Sequence, residues 1–244
     1  MKETRALIER IIEVNSAIQH LHLSFEGSPG RIKPGLSLLV GVADIAHPYL
    51  RESWWPVSIK DDFIVVERPA KERYEIGQVV NALGYIGKPY LFRRNLRNVL
   101  LVAHDTPPTP LLLTIPWLLG NKISVTLVLT GTARTYNTEH LDRRVEIIRG
   151  DEGFTWPDQV MNAGWADQVF VTTGGADENA AFRMVYDHFE TLRASVQPNY
   201  LFGVFRPILP CGVGACGACW LASKRGAAMI CTDGPAFDLT QMVR

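Results

Sequence analysis

Along these 244 residues the hydrophobic positions change rhythm twice. In the first third they come in short runs. IQHLHLSF (18–25) alternates with period two, SLLVGVA (37–43) is a buried strand behind the turn Lys33-Pro34-Gly35, and FIVVE (63–67) is a third strand. Short strands punctuated by Gly and Pro predict a small antiparallel β-barrel, with GYIGKPY (84–90) as its closing turn.

From about residue 97 the runs become continuous. NVLLVA (98–103) reads as a fully buried strand, followed by PLLLTIPWLL (110–119), helical with a break near Pro116. ISVTLVL (123–129), VEIIR (145–149) and QVFVTT (168–173) are further strands. Residues 176–194 form an amphipathic helix with Ala181, Val185, Phe189 and Leu192 on one face and Asp177 and Glu178 in its first turn. Strand alternating with helix predicts a parallel, nucleotide-domain-like sheet. The expected organisation is therefore α+β and multidomain: a barrel over 1–95, an α/β unit over 96–199 and a small lobe over 200–244.

The composition narrows the class. Apolar residues make up 47% against 20% charged, which is ordinary for a globular core. Lys+Arg and Asp+Glu are both 25, so the formal charge is zero and neither a nucleic-acid groove nor an anionic membrane surface is indicated. MKETRALIERIIEV (1–14) mixes charge with aliphatics throughout, unlike a signal peptide or anchor, so a soluble cytoplasmic protein without membrane insertion is expected.

The strongest chemical signal is C-x4-C-x2-C-x11-C: Cys211, Cys216, Cys219 and Cys231 lie in the last 34 residues, and the first 210 hold no cysteine. Structural zinc sites usually pair two C-x2-C knuckles. A C-x4-C-x2-C run with a distant fourth cysteine is the plant-type [2Fe–2S] ligand pattern. Gly212, Gly214, Ala215, Gly217 and Ala218 let a tight loop wrap an anionic cluster and aim backbone N–H groups at its sulfurs. The fourth ligand is expected to reach across from a strand. Zinc on the same thiols, or inert thiols, are the alternatives that the spacing leaves open.

The stretch CGVGACGACW…ICTDGPAFD (211–238) resembles the C-terminal lobe of the dihydroorotate dehydrogenase B electron transfer subunit family, within the ferredoxin-reductase superfamily. The resemblance implies a flavin-reductase-type barrel, a nicotinamide-domain-like α/β unit and a [2Fe–2S] lobe, in the order read above. It also implies a redox partner, a dihydroorotate dehydrogenase-like flavoprotein or another catalytic subunit, in a hetero-oligomer. Where the family holds flavin with an Arg-Pro-x-Ser run, this chain has Trp55-Pro56-Val57-Ser58, so Trp55, Pro56 and Ser58 are the candidate FAD contacts. Trp55 occupies the Arg position, Arg51 is the nearest substitute cation, and barrel packing is the plain alternative for Trp54 and Trp55. The family's Gly-x-Gly-Thr phosphate turn has no counterpart in ERPAKERYEI (67–76).

NAD is not expected. The turn after the first α/β strand is HDTPPTP (104–110), where three prolines remove N–H donors and Asp105 adds negative charge. Gly174 and Gly175, in TTGGADE (172–178), are followed by Asp177 and Glu178, which repel phosphate. His47 and His104 read as polar turn residues, and no nucleophile motif or P-loop is present, so no catalytic residue is assigned. An iron–sulfur electron-transfer subunit is the leading expectation. A complete FAD/NADH-dependent reductase and a zinc-stabilised, non-redox interaction module are the alternatives.

Overall fold

Residues 3–26, 32–42, 51–60, 62–224 and 226–242 are described by a computed structural model of the chain. The N-terminal third contributes β1 (Glu3–Glu13), β2 (Ile18–Phe25), β3 (Ser37–Val42), β4 (Glu52–Trp54), β5 (Pro56–Lys60), β6 (Phe63–Pro69) and β7 (Val79–Ile86). They form one antiparallel sheet in the order β4-β3-β7-β1-β2-β6-β5. Its two edge strands are separated in sequence by Trp55 alone, so the edges must lie side by side and the sheet rolls up. Among the described residues no hydrogen-bonded ladder closes the roll, so the expected barrel is an open one. Inside it pack Ile8, Leu21, Leu23, Leu38, Trp54 and Val66.

β2 departs from simple alternation. Gln19, on the face of Leu21 and Leu23, and His22, on the opposite face, are both buried, so both faces of this strand are covered. The Gln19 amide is satisfied there, donating to the carbonyls of Pro69 (2.9 Å) and Glu72 (2.7 Å).

The next elements are β8 (Asn98–His104), α1 (Thr109–Leu112), α2 (Thr114–Gly120), β9 (Ser124–Thr130), β10 (Glu146–Arg149), α3 (Gln159–Trp165), β11 (Gln168–Thr173), α4 (Glu178–Leu192) and β12 (Leu201–Val204). β10-β9-β8-β11-β12 run parallel in that spatial order. The continuous apolar runs follow from burial on both faces. In β8, Val99 and Leu101 meet Leu111 and Leu118 of α1 and α2 on one side, while Leu100 and Val102 join Val185 and Phe189 of α4 on the other.

Two local readings shift. The helix break falls at Leu113, ahead of Pro116, because Pro116 sits in the first turn of α2, where its missing N–H costs nothing within that helix. The buried stripe of α4 is Phe182, Val185, Phe189 and Leu192; its 3-4-3 spacing leaves Ala181 at the edge. Asp177 caps this helix, accepting from the Ala180 N–H at 3.0 Å.

The C-terminal segment adds β13 (Trp220–Ser223), β14 (Gly226–Met229), α5 (Ile230–Asp233) and β15 (Ala236–Asp238). β13 and β14 form a hairpin of their own, and β15 pairs antiparallel with β12, extending the parallel sheet by one strand. Among the described residues no helix is long and apolar enough to cross a membrane.

Phe189, fully buried between α4 and the sheet, tests this packing. Truncation to Ala is expected to cost about 3–5 kcal/mol and to lower Tm by roughly 2–4 °C per kcal/mol. A Tm within a degree or two of the parent chain in a thermal melt would contradict the assignment.

Candidate functional site

The glycine-rich loop brings sulfurs together from two directions. Cys219 and Cys231 are buried with their Sγ atoms 3.3 Å apart, Cys211 is half-buried and Cys216 is exposed. The Gly214 N–H points at Cys231 Sγ (3.1 Å) and the Val213 N–H at Cys211 Sγ (3.5 Å), the donor geometry that an anionic sulfur requires. The Val213 N–H, helped by the backbone and thiol of Cys216, pulls the Cys211 thiol down to about 6. Burial and the adjacent Cys219 thiol push Cys231 up to about 12. Cys231 lies on the single turn of α5 rather than on a strand, which corrects the expectation for the fourth cysteine. Gly212 has φ +68°, and a Cβ there would lie 2.5 Å from Leu39 Cδ1 and 2.9 Å from Ile86 Cδ1, so only glycine lets the loop press onto the rolled sheet.

A cleft with two arms opens between the rolled sheet and the α/β unit. One arm, about 490 Å³, is lined by Arg51, Ser53, Trp55, Arg206 and Leu209. The other, about 480 Å³, is lined by Ile18, Thr106, Thr132, Thr135 and Asn137. Glu67, Arg68, Pro69, Pro107 and Thr109 border both. Each arm falls within the roughly 300–1,000 Å³ range of small-molecule sites. Of the candidate flavin contacts, half-buried Trp55 lines the cleft; Pro56 and Ser58 lie in β5 and are not among the lining residues. Trp54 is packed inside the sheet, 2% exposed, against Tyr74 and beneath the Arg68 guanidinium.

The cations at the cleft differ in their freedom. Arg51 pairs with Glu3, and Arg68 is held by Glu52, Glu72 and the Tyr74 hydroxyl. Arg206, just past β12, donates from Nη2 to the Thr173 carbonyl at 3.0 Å, while its buried Nε has no hydrogen-bond partner in the structure. Glu67 accepts from Thr109 Oγ1 (2.6 Å) and Tyr136 OH (2.5 Å). Burial alone would raise its pKa, but His20 and these two donors outweigh it and hold the carboxyl below its ordinary value.

At the turn after β8, Asp105 occupies the place where a dinucleotide would have to approach. Its Oδ1 accepts from the Thr132 N–H at 2.9 Å, and its carbonyl oxygen would lie 2.1 Å from any Cβ at Gly174. Pro107, Pro108 and Pro110 offer no N–H, so the turn has no row of donors for a diphosphate. His104 is engaged on both ring nitrogens, with Thr130 Oγ1 at 3.0 Å and Asp105 Oδ2 at 3.2 Å. His47 lies outside the described residues.

Residues 207–243 match the family model for the iron–sulfur cluster binding domain of dihydroorotate dehydrogenase B. The C-terminal lobe is similar to that domain over these residues. The whole chain is similar in fold to the NADH-dependent reduced ferredoxin–NADP oxidoreductase of flavin-based electron bifurcation, with 17% identity, 98% of this chain and 89% of that chain covered, and a TM-score of 0.69. Phthalate dioxygenase reductase, described as transferring electrons from pyridine nucleotides to [2Fe–2S], aligns at 14% identity over 81% of this chain and 66% of that one, with a TM-score of 0.59. The FAD/NAD-binding domain of nitric oxide dioxygenase from Vibrio cholerae O1 biovar El Tor aligns at 12% identity over 82% and 98%, with a TM-score of 0.63. At these identities the likeness is one of fold, the ferredoxin-reductase arrangement of an antiparallel sheet followed by a parallel α/β sheet. No curated protein matches the chain in sequence.

The cysteine-bearing lobe abuts the arm of the cleft that Trp55 and Arg206 line. A pocket of about 10 Å³ is walled by Ser53, Trp55 and Arg206 on one side and by Ile230 and Pro235 of the lobe on the other. Glu67, Thr109 and Arg206 were not singled out by sequence. Their one local cue is the Phe205-Arg206-Pro207 step that follows a strand and precedes the cysteines.

Desolvation of His104 lowers its pKa below 6.5 despite the nearby Asp105 and Asp151 carboxylates. The folded state then binds fewer protons than the unfolded one, so this part of the stability is complete above pH 6.5 and is lost as pH falls towards the depressed value. His104→Asn is expected to lose less Tm than the parent between pH 7 and pH 5 when both are melted at each pH. Parallel losses would show that His104 carries no such linkage.

Proposed function

We propose that this chain is an iron–sulfur electron-transfer subunit of an oxidoreductase complex, with a [2Fe–2S] cluster held by Cys211, Cys216, Cys219 and Cys231. The observation that carries the reading is the convergence of two buried sulfurs, 3.3 Å apart, with backbone N–H groups aimed at Cys231 and Cys211. Cys211, Cys216, Cys219 and Cys231 would be the thiolates that hold the cluster. When bound, such a cluster supplies one-electron transfer at a potential near −400 mV. The chain's own residues do the positioning: buried Cys219 and Cys231 hold the inner side dry, while exposed Cys216 marks the side open to exchange. Val213 and Trp220, 46% and 54% exposed, flank the ligand loop and give an apolar rim to a catalytic partner, in this reading a dihydroorotate dehydrogenase-like flavoprotein.

Anaerobically purified protein is expected to contain iron and acid-labile sulfide in equal amounts and to give a paramagnetic signal on one-electron reduction. Cys219→Ser and Cys231→Ser should each lose most of both. A colourless protein that holds one zinc per chain would replace this reading with the zinc-stabilised module.

A second reading, a complete flavin-bearing reductase, is favoured by the cleft itself. Trp55 offers a stacking face, and the Arg206 side chain lines the same arm, next to the lobe. FAD released by heat from the native protein, and a loss of at least tenfold (about 1.4 kcal/mol) in FAD affinity in Arg206→Ala, are the results expected if the flavin resides here. If no FAD is released and none binds in titration, the flavin belongs to the partner.

A further inference from the structure

We propose that His20, Glu67 and His140 form a divalent-metal site, of the type that takes Zn²⁺, bridging the rolled sheet and the α/β unit beside the cleft. His20 on β2 and Glu67 on β6 are direct cross-strand partners, so both side chains leave the same face of the sheet. His140 comes from the opposite unit, in the segment between β9 and β10. One ligand atom from each of the three lies within 4.8 Å of the others. His20 Nε2 is 3.6 Å from Glu67 Oε2, close to the spacing of about 3.4 Å between neighbouring ligand atoms that metal–ligand bonds of about 2.0–2.1 Å produce in a tetrahedral site.

Hydrogen bonding alone does not account for this group. His20 Nε2 is buried and lacks a hydrogen-bond partner, although it faces a carboxylate whose side chain is 3% exposed. A ring nitrogen without a hydrogen bond, set 3.6 Å from a buried carboxylate, is an environment that a bound cation relieves. The surroundings also resemble the outer shell of a metal centre. Thr109 fixes one carboxylate oxygen of Glu67, and the Tyr136 hydroxyl reaches both the other oxygen (2.5 Å) and His140 Nε2 (3.2 Å), putting a fourth oxygen within reach of the ion. Glu67 and Tyr136 also line the cleft, which gives an entry path. Two imidazoles and one carboxylate suit Zn²⁺ and its neighbours in the first transition row. Two ligands belong to the sheet and one to the α/β unit, so the ion acts as a clamp across the cleft.

The test uses the cluster-loaded protein, with Zn²⁺ and Co²⁺ as probes. Calorimetric titration is expected to show one Zn²⁺ per chain, with Zn²⁺ raising Tm; both effects should weaken at least tenfold or vanish in His140→Ala, an exposed position whose melt in chelator should match the parent. Independently of any variant, Co²⁺ should give d–d bands without a thiolate-to-cobalt charge-transfer band, while the visible absorption of the cluster stays constant. Absence of Zn²⁺ binding, equal affinity in His140→Ala, or a thiolate-to-cobalt band would each overturn the site.

Discussion

The backbone N–H of Gly87, donating to the carbonyl of Cys231 at 3.0 Å, ties the fourth thiol of the lobe to the end of β7 in the rolled sheet. Lys88 extends the seam with its backbone N–H on the Gly234 carbonyl and its ammonium on Asp233 at 2.9 Å. From the other direction the cysteine loop rests on Leu39 and Ile86, the contact that requires a glycine at position 212. A lobe with so little core of its own takes its position from these contacts. They also put Ile230 and Pro235 against the wall that carries Trp55. This seam fixes the position of the cysteine loop relative to the cleft.

The two arms of the cleft share Glu67 and Arg68 and differ in the residues beyond them. The arm next to the lobe presents Arg51, Arg68 and Arg206, of which Arg51 and Arg68 are neutralised by carboxylates and Arg206 keeps an unused donor. The other arm ends on Glu67, Tyr136 and a proline-bearing turn filled by Asp105. One fold thus offers a pocket walled by Trp55 and Arg206 next to the lobe and a pocket bordered by the Asp105 turn further away.

Much of this was legible where the signal is local. The thiols of 211–231 announce themselves by spacing, and β2 and β11 begin and end where alternation or continuous burial says they should. Readings fail where the deciding contact is distant in sequence. β7 carries Asn81 and Gly84, which weaken its pattern, yet β1 and β3 pair with it on both sides. β12 is four residues long and becomes a strand because β11 and β15 flank it. The burial of Glu67 comes from Thr109, Tyr136 and His20, which approach it from three separate segments, and no window around residue 67 contains them. Arg206 likewise acquires meaning only when the end of β12 meets the turn after β4.

The central claim is that four thiolates of one lobe grip two irons beside that cleft. Anomalous diffraction from crystals grown without oxygen, recorded at the iron and zinc absorption edges, tests it most directly. The account predicts a pair of iron peaks enclosed by Cys211, Cys216, Cys219 and Cys231. A lone peak that strengthens only across the zinc edge, or a lobe in which one of those sulfurs turns away from the metal, would contradict it.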